Sequence, residues 1–418
     1  MEPIKQNDKR HLDTLPAGAL GIVPIKGCEE MAAEINYYLT RWRAERESEH
    51  KDSLAYIGYK RPSYIVDCNL PRFGTGEGKG MISQSVRGMD LYLLTDVVNY
   101  SETYKMFGFE NHMSPDDHYQ NLKRAIASIG GKARRITVIM PYLYESRQHK
   151  RSARESLDCA IALQELVRMG VDNIITFDAH DPRVMNAIPL NGFDTIRPSY
   201  QFIKGLLRSE NDLQIDNDHM LIISPDEGGM KRAVYYANVL GLDMGMFYKR
   251  RDYTRFEHGV NPVVAHEFLG SSVEGKDMIV IDDMLSSGDS ILEVARALKK
   301  RKARRVFVFV TFGLFTRGIE KFDEAYELRY DKDRGEEIRI IDKIITTNLI
   351  YQKPELKDRP WYTCCGMSKY LAYIIDTLNH DSSISDLLDP REKIWKIIKR
   401  YNTEREEALR DGREFHFK

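Results

Sequence analysis

The chain has 418 residues, with 62 basic side chains against 63 acidic ones and 42% hydrophobic residues. That length accommodates two domains with sizeable cores, and the even charge balance argues against nucleic acid or an anionic membrane as the main partner. No apolar run is long enough to span a bilayer, and the opening MEPIKQNDKRHLDTL lacks the apolar core of a secretory signal, so a cytoplasmic protein is expected.

In chain order, residues 1–19 read as an N-terminal extension and 20–24 as a strand. Residues 28–43 follow as an amphipathic helix, with Met31, Ile35 and Leu39 at four-residue spacing. The segment 44–60 is charged and aperiodic, an insertion or an extended helix end. A strand at 90–98 leads into 99–117, whose mixture of aromatic, Gly, Asn and Pro residues suggests a long loop. A helix at 118–129 ends at Gly130 and Gly131. Strands at 135–141 and 173–178 flank a helix at 156–169, and a boundary between two halves is expected near 189–191. The second half repeats the rhythm, with strands at 220–224, 243–248, 277–281 and 304–313 and helices at 229–240 and 291–300. A helix at 367–378 follows. Pro390 then breaks the chain before 391–418, where Ile394, Trp395, Ile397, Ile398 and Tyr401 stand on a charged background. That pattern suits an amphipathic helix docked on this or a neighbouring subunit. Repeated strand–helix–strand units imply mainly parallel sheets covered by helices, and such sheets bind ligands beyond the carboxyl ends of their strands. Cys28, Cys68, Cys159, Cys364 and Cys365 show neither an even framework nor zinc spacing, and reduced thiols are expected.

The most informative segment is MIVIDDMLSSGDS at 278–290. Four apolar residues read as a buried strand closed by Asp282 and Asp283. Two carboxylates held at a strand end can accept hydrogen bonds from the vicinal hydroxyls of a ribose. Ser286, Ser287, Gly288, Asp289 and Ser290 follow, with backbone N–H groups, hydroxyls and a helix N-terminus that suit a phosphate. A ribose bearing phosphate is the ligand this pattern favours.

This segment resembles the phosphoribosyl-pyrophosphate loop of type I phosphoribosyltransferases. Three others, MPYLYESRQHKRSARESL at 140–157, TFDAHDPRV at 176–184 and SPDEGGMKRA at 224–233, resemble ribose-phosphate diphosphokinases, the phosphoribosyl-pyrophosphate synthetases. They occur in that family's order, and YKRRD at 248–252 stands where its catalytic basic loop belongs. The resemblance implies an α/β protein of two type I phosphoribosyltransferase-like domains with mainly parallel sheets flanked by helices. Residues 20–190, with a returning helix at 365–388, would form the N-terminal domain and 191–364 the catalytic one. The extension 389–418 has no family counterpart.

The resemblance also implies the reaction. The diphosphoryl group of ATP passes to O1 of ribose 5-phosphate, with magnesium as cofactor and a homo-oligomer, from dimer to hexamer, as the working assembly. His180 and Asp226 would hold the metal. Lys249 and Arg251 would stabilise the transferring phosphates from a mobile loop. Arg147 and Gln148 would bind ATP, joined from a neighbouring subunit by Phe73, Thr75 and Glu77 of PRFGTGEGKG at 71–80. Asp282, Asp283 and the loop from Ser286 to Ser290 would hold ribose 5-phosphate. Several positions depart from the family pattern: Thr75 and His149 each replace an aspartate, the 286–290 loop lacks the aspartate that opens it in the family, Phe312 replaces a histidine, and Asp289 adds a charge where a phosphate is expected. A phosphoribosyltransferase would need the Asp282 loop but not the Arg147 or Lys249 motifs. A non-catalytic, synthetase-associated or filament-forming relative should have lost the metal residues or the basic run, and all are present.

Overall fold

The computed structural model describes residues 14–49, 59–251 and 263–417, with the backbone alone at 47–49, 249–251 and 263–266. Among the described residues no helix is long and apolar enough to cross a membrane. The chain divides into two compact units. One comprises Met1–Arg197 and Met367–Asp389, the other Pro198–Gly366 and Pro390–Lys418.

The first unit is built on five parallel strands in sequential order: Ala19–Pro24, Met89–Leu94, Arg135–Ile139, Asn173–Phe177 and Gly192–Ile196. Met89–Leu94 is buried along its whole length, as expected of a strand covered on both faces. The helix Glu29–Glu49 carries the 28–43 pattern six residues further, and 50–58 lie outside the described residues. The next helix, Pro115–Ile129, begins before residue 118 because Ser114 and Asp117 form a reciprocal capping box with Pro at the first turn. The last strand, GFDTI, is short and partly polar. It pairs with Asn173–Phe177, so the chain leaves this unit after Arg197, one strand later than the boundary near 189–191.

The returning helix, Ser368–Asn379, closes the first unit through a buried polar network. Arg43, 1% exposed, donates from Nε to Asp376 Oδ1 at 3.1 Å and from Nη2 to Asn379 Oδ1 at 2.6 Å. Asn379 donates in turn to Asp90, which Arg135 also grips through two nitrogens. Charges buried this deeply persist because each meets a partner.

The second unit has seven strands in the order Val263–Leu269, Met244–Arg251, Met220–Ser224, Asp277–Leu285, Arg305–Gly313, Lys343–Thr347 and Tyr362–Cys365. All pairs are parallel except the first. Alternate side chains feed two cores. Leu221, Ile223, Val280 and Val308 pack with the helix Asp289–Lys300 on one face. Ile222, Ile279, Phe307 and Phe309 pack on the other with Ser199–Ser209, Met230–Leu240 and the final helix, Arg391–Arg410. That final helix therefore docks on its own chain. Ile394, Ile397 and Tyr401 face inward at three- and four-residue spacing, and Tyr401 donates to Glu210 O while accepting from Leu213 N. Trp395 is largely exposed, with its indole N–H on Val239 O.

Candidate functional site

In the second sheet the chain lays strands outward in one direction from Met220–Ser224 and in the other from Asp277–Leu285. The order reverses between these two neighbours, and a crevice beyond their carboxyl ends is where an open parallel sheet accepts a ligand. The sequence places its most reactive groups there. Asp226 stands two residues beyond the end of the first strand. Its Oδ1 accepts from Gly229 N at 3.1 Å, and Ser224 Oγ donates to its backbone carbonyl. A side chain at Gly229 would come within 2.9 Å of Ser224 Oγ, so it would have to displace the hydroxyl that holds the Asp226 carbonyl.

Asp282 and Asp283 lie on the second strand. The apolar run ends at Ile281, but pairing with the neighbouring strand continues to Leu285 opposite Gly313, so the two carboxylates are the sixth and seventh of its nine residues. Arg232 lies against both, with Nη1 3.6 Å from Asp282 Oδ1 and Nη2 3.8 Å from Asp283 Oδ2. Burial and then the neighbouring Asp283 charge push the Asp282 carboxyl well above the usual carboxylate range, against the opposing pull of Arg232. Arg232 belongs to SPDEGGMKRA, yet motif matching assigns it no part in the site. The signal for it is electrostatic: two adjacent acids at a strand end need a cation, and Arg232 is buried in the first turn of the helix beside them.

The 286–290 loop is braced by the segment after the next strand. Leu314 N and Phe315 N donate to Leu285 O, and Thr316 N donates to Ser286 O. Gly288 has φ of +83°, and a Cβ there would lie 2.3 Å from Phe322 Cζ, so the turn into the helix Asp289–Lys300 admits only glycine. Asp289 does not stand unpaired beside the loop. It accepts from Ser287 Oγ at 2.8 Å, Lys321 Nζ at 2.6 Å and Arg317 Nη1 at 3.2 Å. The Lys321 hydrogen bond, followed by that of Ser287, holds its carboxyl below the usual range. Phe312 is buried at the position paired with Met284.

Lys249 and Arg251 differ from expectation in their backbone. Rather than opening a loop after Tyr248, residues 249–251 extend the strand Met244–Arg251, paired antiparallel with Val263–Leu269 and with a bulge between Arg250 and Arg251. The flap expected at 252–262 lies outside the described residues, as do the Lys249 and Arg251 side chains.

In the first unit, two neighbouring parallel strands end at the turns carrying the other candidates. Arg147 and Gln148 are exposed after Arg135–Ile139, with Gln148 N donating to Glu145 O. His180 is exposed after Asn173–Phe177. His149 joins the two turns. Its Nε2 is 3.7 Å from Asp181 Oδ2, and its ring centre is 5.3 Å from that of His180. Asp181 is gripped by the Arg183 fork, which holds its carboxyl far below the usual range. Arg147, Gln148 and His180 thus gather at one end of this sheet.

Phe73, Thr75 and Glu77 stand on a separate exposed turn closed by the Phe73 N to Glu77 O bond, with Thr75 Oγ1 donating to Glu77. Arg72 anchors the turn on Gly76 O and Asp117, with its guanidinium 4.6 Å from the Tyr104 ring centre. Tyr104 belongs to a hairpin, Thr103–Met106 with Phe109–His112, where the composition of 99–117 suggests only a loop. Among the described residues no hydrogen bond or ion pair joins this turn to Arg147 or Gln148.

Neither unit holds a cluster of three or more His, Cys, Asp or Glu side chains arranged for a metal among the described residues. The candidates present are one carboxylate in the second unit, Asp226, and one imidazole in the first, His180. Asp226 offers the hard oxygen that magnesium prefers, since that ion keeps waters and binds through one or two carboxylates plus substrate phosphates, whereas the imidazole nitrogen of His180 is an unusual ligand for it.

Comparison with known proteins gives a consistent picture. Residues 20–170 match the family described as the N-terminal domain of ribose phosphate pyrophosphokinase, and 192–347 match the phosphoribosyl transferase domain. A ribose-phosphate pyrophosphokinase of Pasteurella multocida is 29% identical over 324 residues, covering 77% of this chain and 90% of that one. One from Vibrio parahaemolyticus is 27% identical over 328 residues, covering 78% and 92%. The crystal structure of phosphoribosylpyrophosphate synthetase from Mycobacterium smegmatis shares the fold, with a TM-score of 0.62 at 20% identity over 87% of this chain and 99% of that one.

Proposed function

The chain belongs to the ribose-phosphate pyrophosphokinase family, and from that premise we propose that it transfers the diphosphoryl group of ATP to O1 of ribose 5-phosphate, giving 5-phosphoribosyl 1-diphosphate and AMP. The observation that carries this reading is the gathering of Asp226, Arg232, Asp282 and Asp283 at the point where the second sheet reverses its strand order. In the reaction the O1–Pβ bond forms as the bond from Pβ to the α–β bridging oxygen breaks, AMP leaves with that electron pair, and the proton of the O1 hydroxyl is released to solvent. No covalent enzyme intermediate is required, so catalysis rests on positioning and on neutralising charge.

The second unit supplies the sugar groups. Asp282 and Asp283 accept from the ribose hydroxyls, and the Ser286–Ser290 loop offers hydroxyls, backbone N–H groups and a helix start to the 5-phosphate. The first unit supplies the nucleotide groups. Arg147 can present paired donors to phosphate oxygens, and Gln148 stands beside it. Lys249 and Arg251 would add positive charge for the transferring group, as the family's basic run implies. Asp226 and His180 would each offer a ligand to magnesium beside substrate phosphates, and the metal would supply charge neutralisation for the diphosphoryl oxygens. Phe73 and Glu77 stand on an exposed turn and would reach the adenine of a neighbouring subunit, which makes a homo-oligomer the active form.

The test is direct. Purified chain with magnesium, ATP and ribose 5-phosphate should release AMP in proportion to the sugar. AMP without dependence on the sugar, or no AMP at all, would overturn the assignment.

A further inference from the structure

A carboxylate at the mouth of a phosphate-binding loop opposes its ligand. Asp289 occupies the first turn of the helix Asp289–Lys300, where N–H dipoles gather and where an acid competes with a bound phosphate for the same field. The fold answers with two cations from one neighbouring segment. Lys321 and Arg317 both donate to Asp289, one to each oxygen. The segment that carries them is fixed to the loop itself, through Thr316 N on Ser286 O and through Leu314 N and Phe315 N on Leu285 O. One acid and two bases leave this cluster with a formal charge of +1 instead of −1. Arg317 remains largely exposed, whereas Lys321 is mostly covered.

We propose that Lys321, assisted by Arg317, is a positioning and specificity residue for the phosphate end of the sugar substrate. Lys321 holds the Asp289 carboxylate on the outer side of the loop, and the pair turns the loop mouth from anion-repelling to anion-accepting. The substrate class selected is a sugar phosphomonoester dianion over the corresponding neutral sugar. This rests on the reading of 286–290 as the 5-phosphate cradle.

The experiment is steady-state kinetics on the full chain, with ribose 5-phosphate and magnesium ATP varied separately and inorganic phosphate as a competing ligand. In Lys321→Met the carboxylate keeps Ser287 and the largely exposed Arg317 but loses its best-covered cation, so KM for ribose 5-phosphate and the inhibition constant for phosphate should both rise by about three- to tenfold, a span set by the exposure of the cluster. KM for ATP and kcat should stay within about twofold of wild type, the signature of altered sugar binding alone. Lys321→Arg should restore the sugar KM. Adding Asp289→Ser to Lys321→Met should lower it again, recovering at least about half of the rise on a logarithmic scale, because the two residues act as one unit. An unchanged sugar KM in Lys321→Met overturns the proposal. So does a double variant no better than Lys321→Met, which would mean that Lys321 touches phosphate without acting through Asp289. Asp282→Asn, assayed alongside, separates the two levels. If it too leaves the sugar KM unchanged, the ribose 5-phosphate site itself has been misplaced. If it raises that KM while Lys321→Met does not, only the present inference falls.

Discussion

Arg232 spans the Asp282–Asp283 pair, with one terminal nitrogen 3.6 Å from the first carboxylate and the other 3.8 Å from the second. Neither distance is a short hydrogen bond, so the guanidinium serves the acid pair as a shared counter-charge. Arg232→Gln should therefore raise the ribose 5-phosphate dissociation constant at neutral pH by about ten- to a hundredfold, the usual effect of losing a charged contact of 1.5–3 kcal/mol. Titration calorimetry with the sugar alone checks this. Unchanged affinity would assign Arg232 to packing.

Asp282→Asn removes a charge and turns an acceptor into a donor. Ribose 5-phosphate affinity should fall by about one to two decades, while ATP binding measured without sugar should barely change. Stability should move the opposite way. The Asp282 carboxyl is pushed up in the folded state by burial and by Asp283, so the free fold favours its neutral form and loses stability as pH rises through that elevated value. The variant should accordingly melt higher than wild type at pH 8, with the gain shrinking at pH 5. A lower melting temperature at pH 8 would contradict this.

Lys249→Ala should lower turnover by at least about a hundredfold while leaving nucleotide binding largely intact. A cation that acts on developing charge is worth roughly 3 kcal/mol in the transition state and little in the ground state. Single-turnover AMP release set against equilibrium ATP binding separates the two. Near-normal turnover would make the 249–251 run a surface feature.

Asp376 is a structural counterpart. Burial pushes its carboxyl up, but Arg43 first, then Arg46 and His380, pull it down, and the net shift is downward. A depressed carboxylate contributes stability that is fully present above about pH 4–5 and is lost as pH falls through its folded value. Asp376→Ala leaves the buried Arg43 without its carboxylate and should cost about 3–5 kcal/mol in urea unfolding at pH 7, whereas the paired change Arg43→Met with Asp376→Leu should cost much less. Equal losses in both variants would show that the pair is not coupled.

Much of this molecule is legible in its residues because the two periodicities speak plainly. The apolar runs at 220–224 and 278–281 and the four-residue spacing of Met31, Ile35 and Leu39 correspond to observed strands and a helix. Short elements with polar faces are harder to read. Gly192–Ile196 and the hairpin Thr103–Met106 with Phe109–His112 gain their strand character from pairing partners and not from their own sequence. At the site, the carboxylates and the glycine announce themselves by type. Arg232, Lys321 and Arg317 do not, because their meaning lies in an ion pair between segments 28 to 51 residues apart, and no local pattern records such a distance.

The path of the chain between its two units has a consequence for biosynthesis. The first sheet is sealed by Ser368–Asn379, whose Asn379 holds Asp90 by its side chain and Ala17 by its backbone carbonyl, and whose neighbour Tyr373 stacks on Trp42. A ribosome that has made the first 197 residues has therefore not yet supplied the lid of the unit they begin. That unit must wait, open along one face, while the strands of the next are synthesised, and it closes only when residues near 379 emerge. The part translated first is completed late, and its exposed helix Glu29–Glu49 is the surface that holding chaperones would meet on the nascent chain. Nascent chains arrested near residue 366 should accordingly be protease-sensitive throughout the first unit, and chains arrested far enough beyond 389 for that stretch to leave the exit tunnel should not.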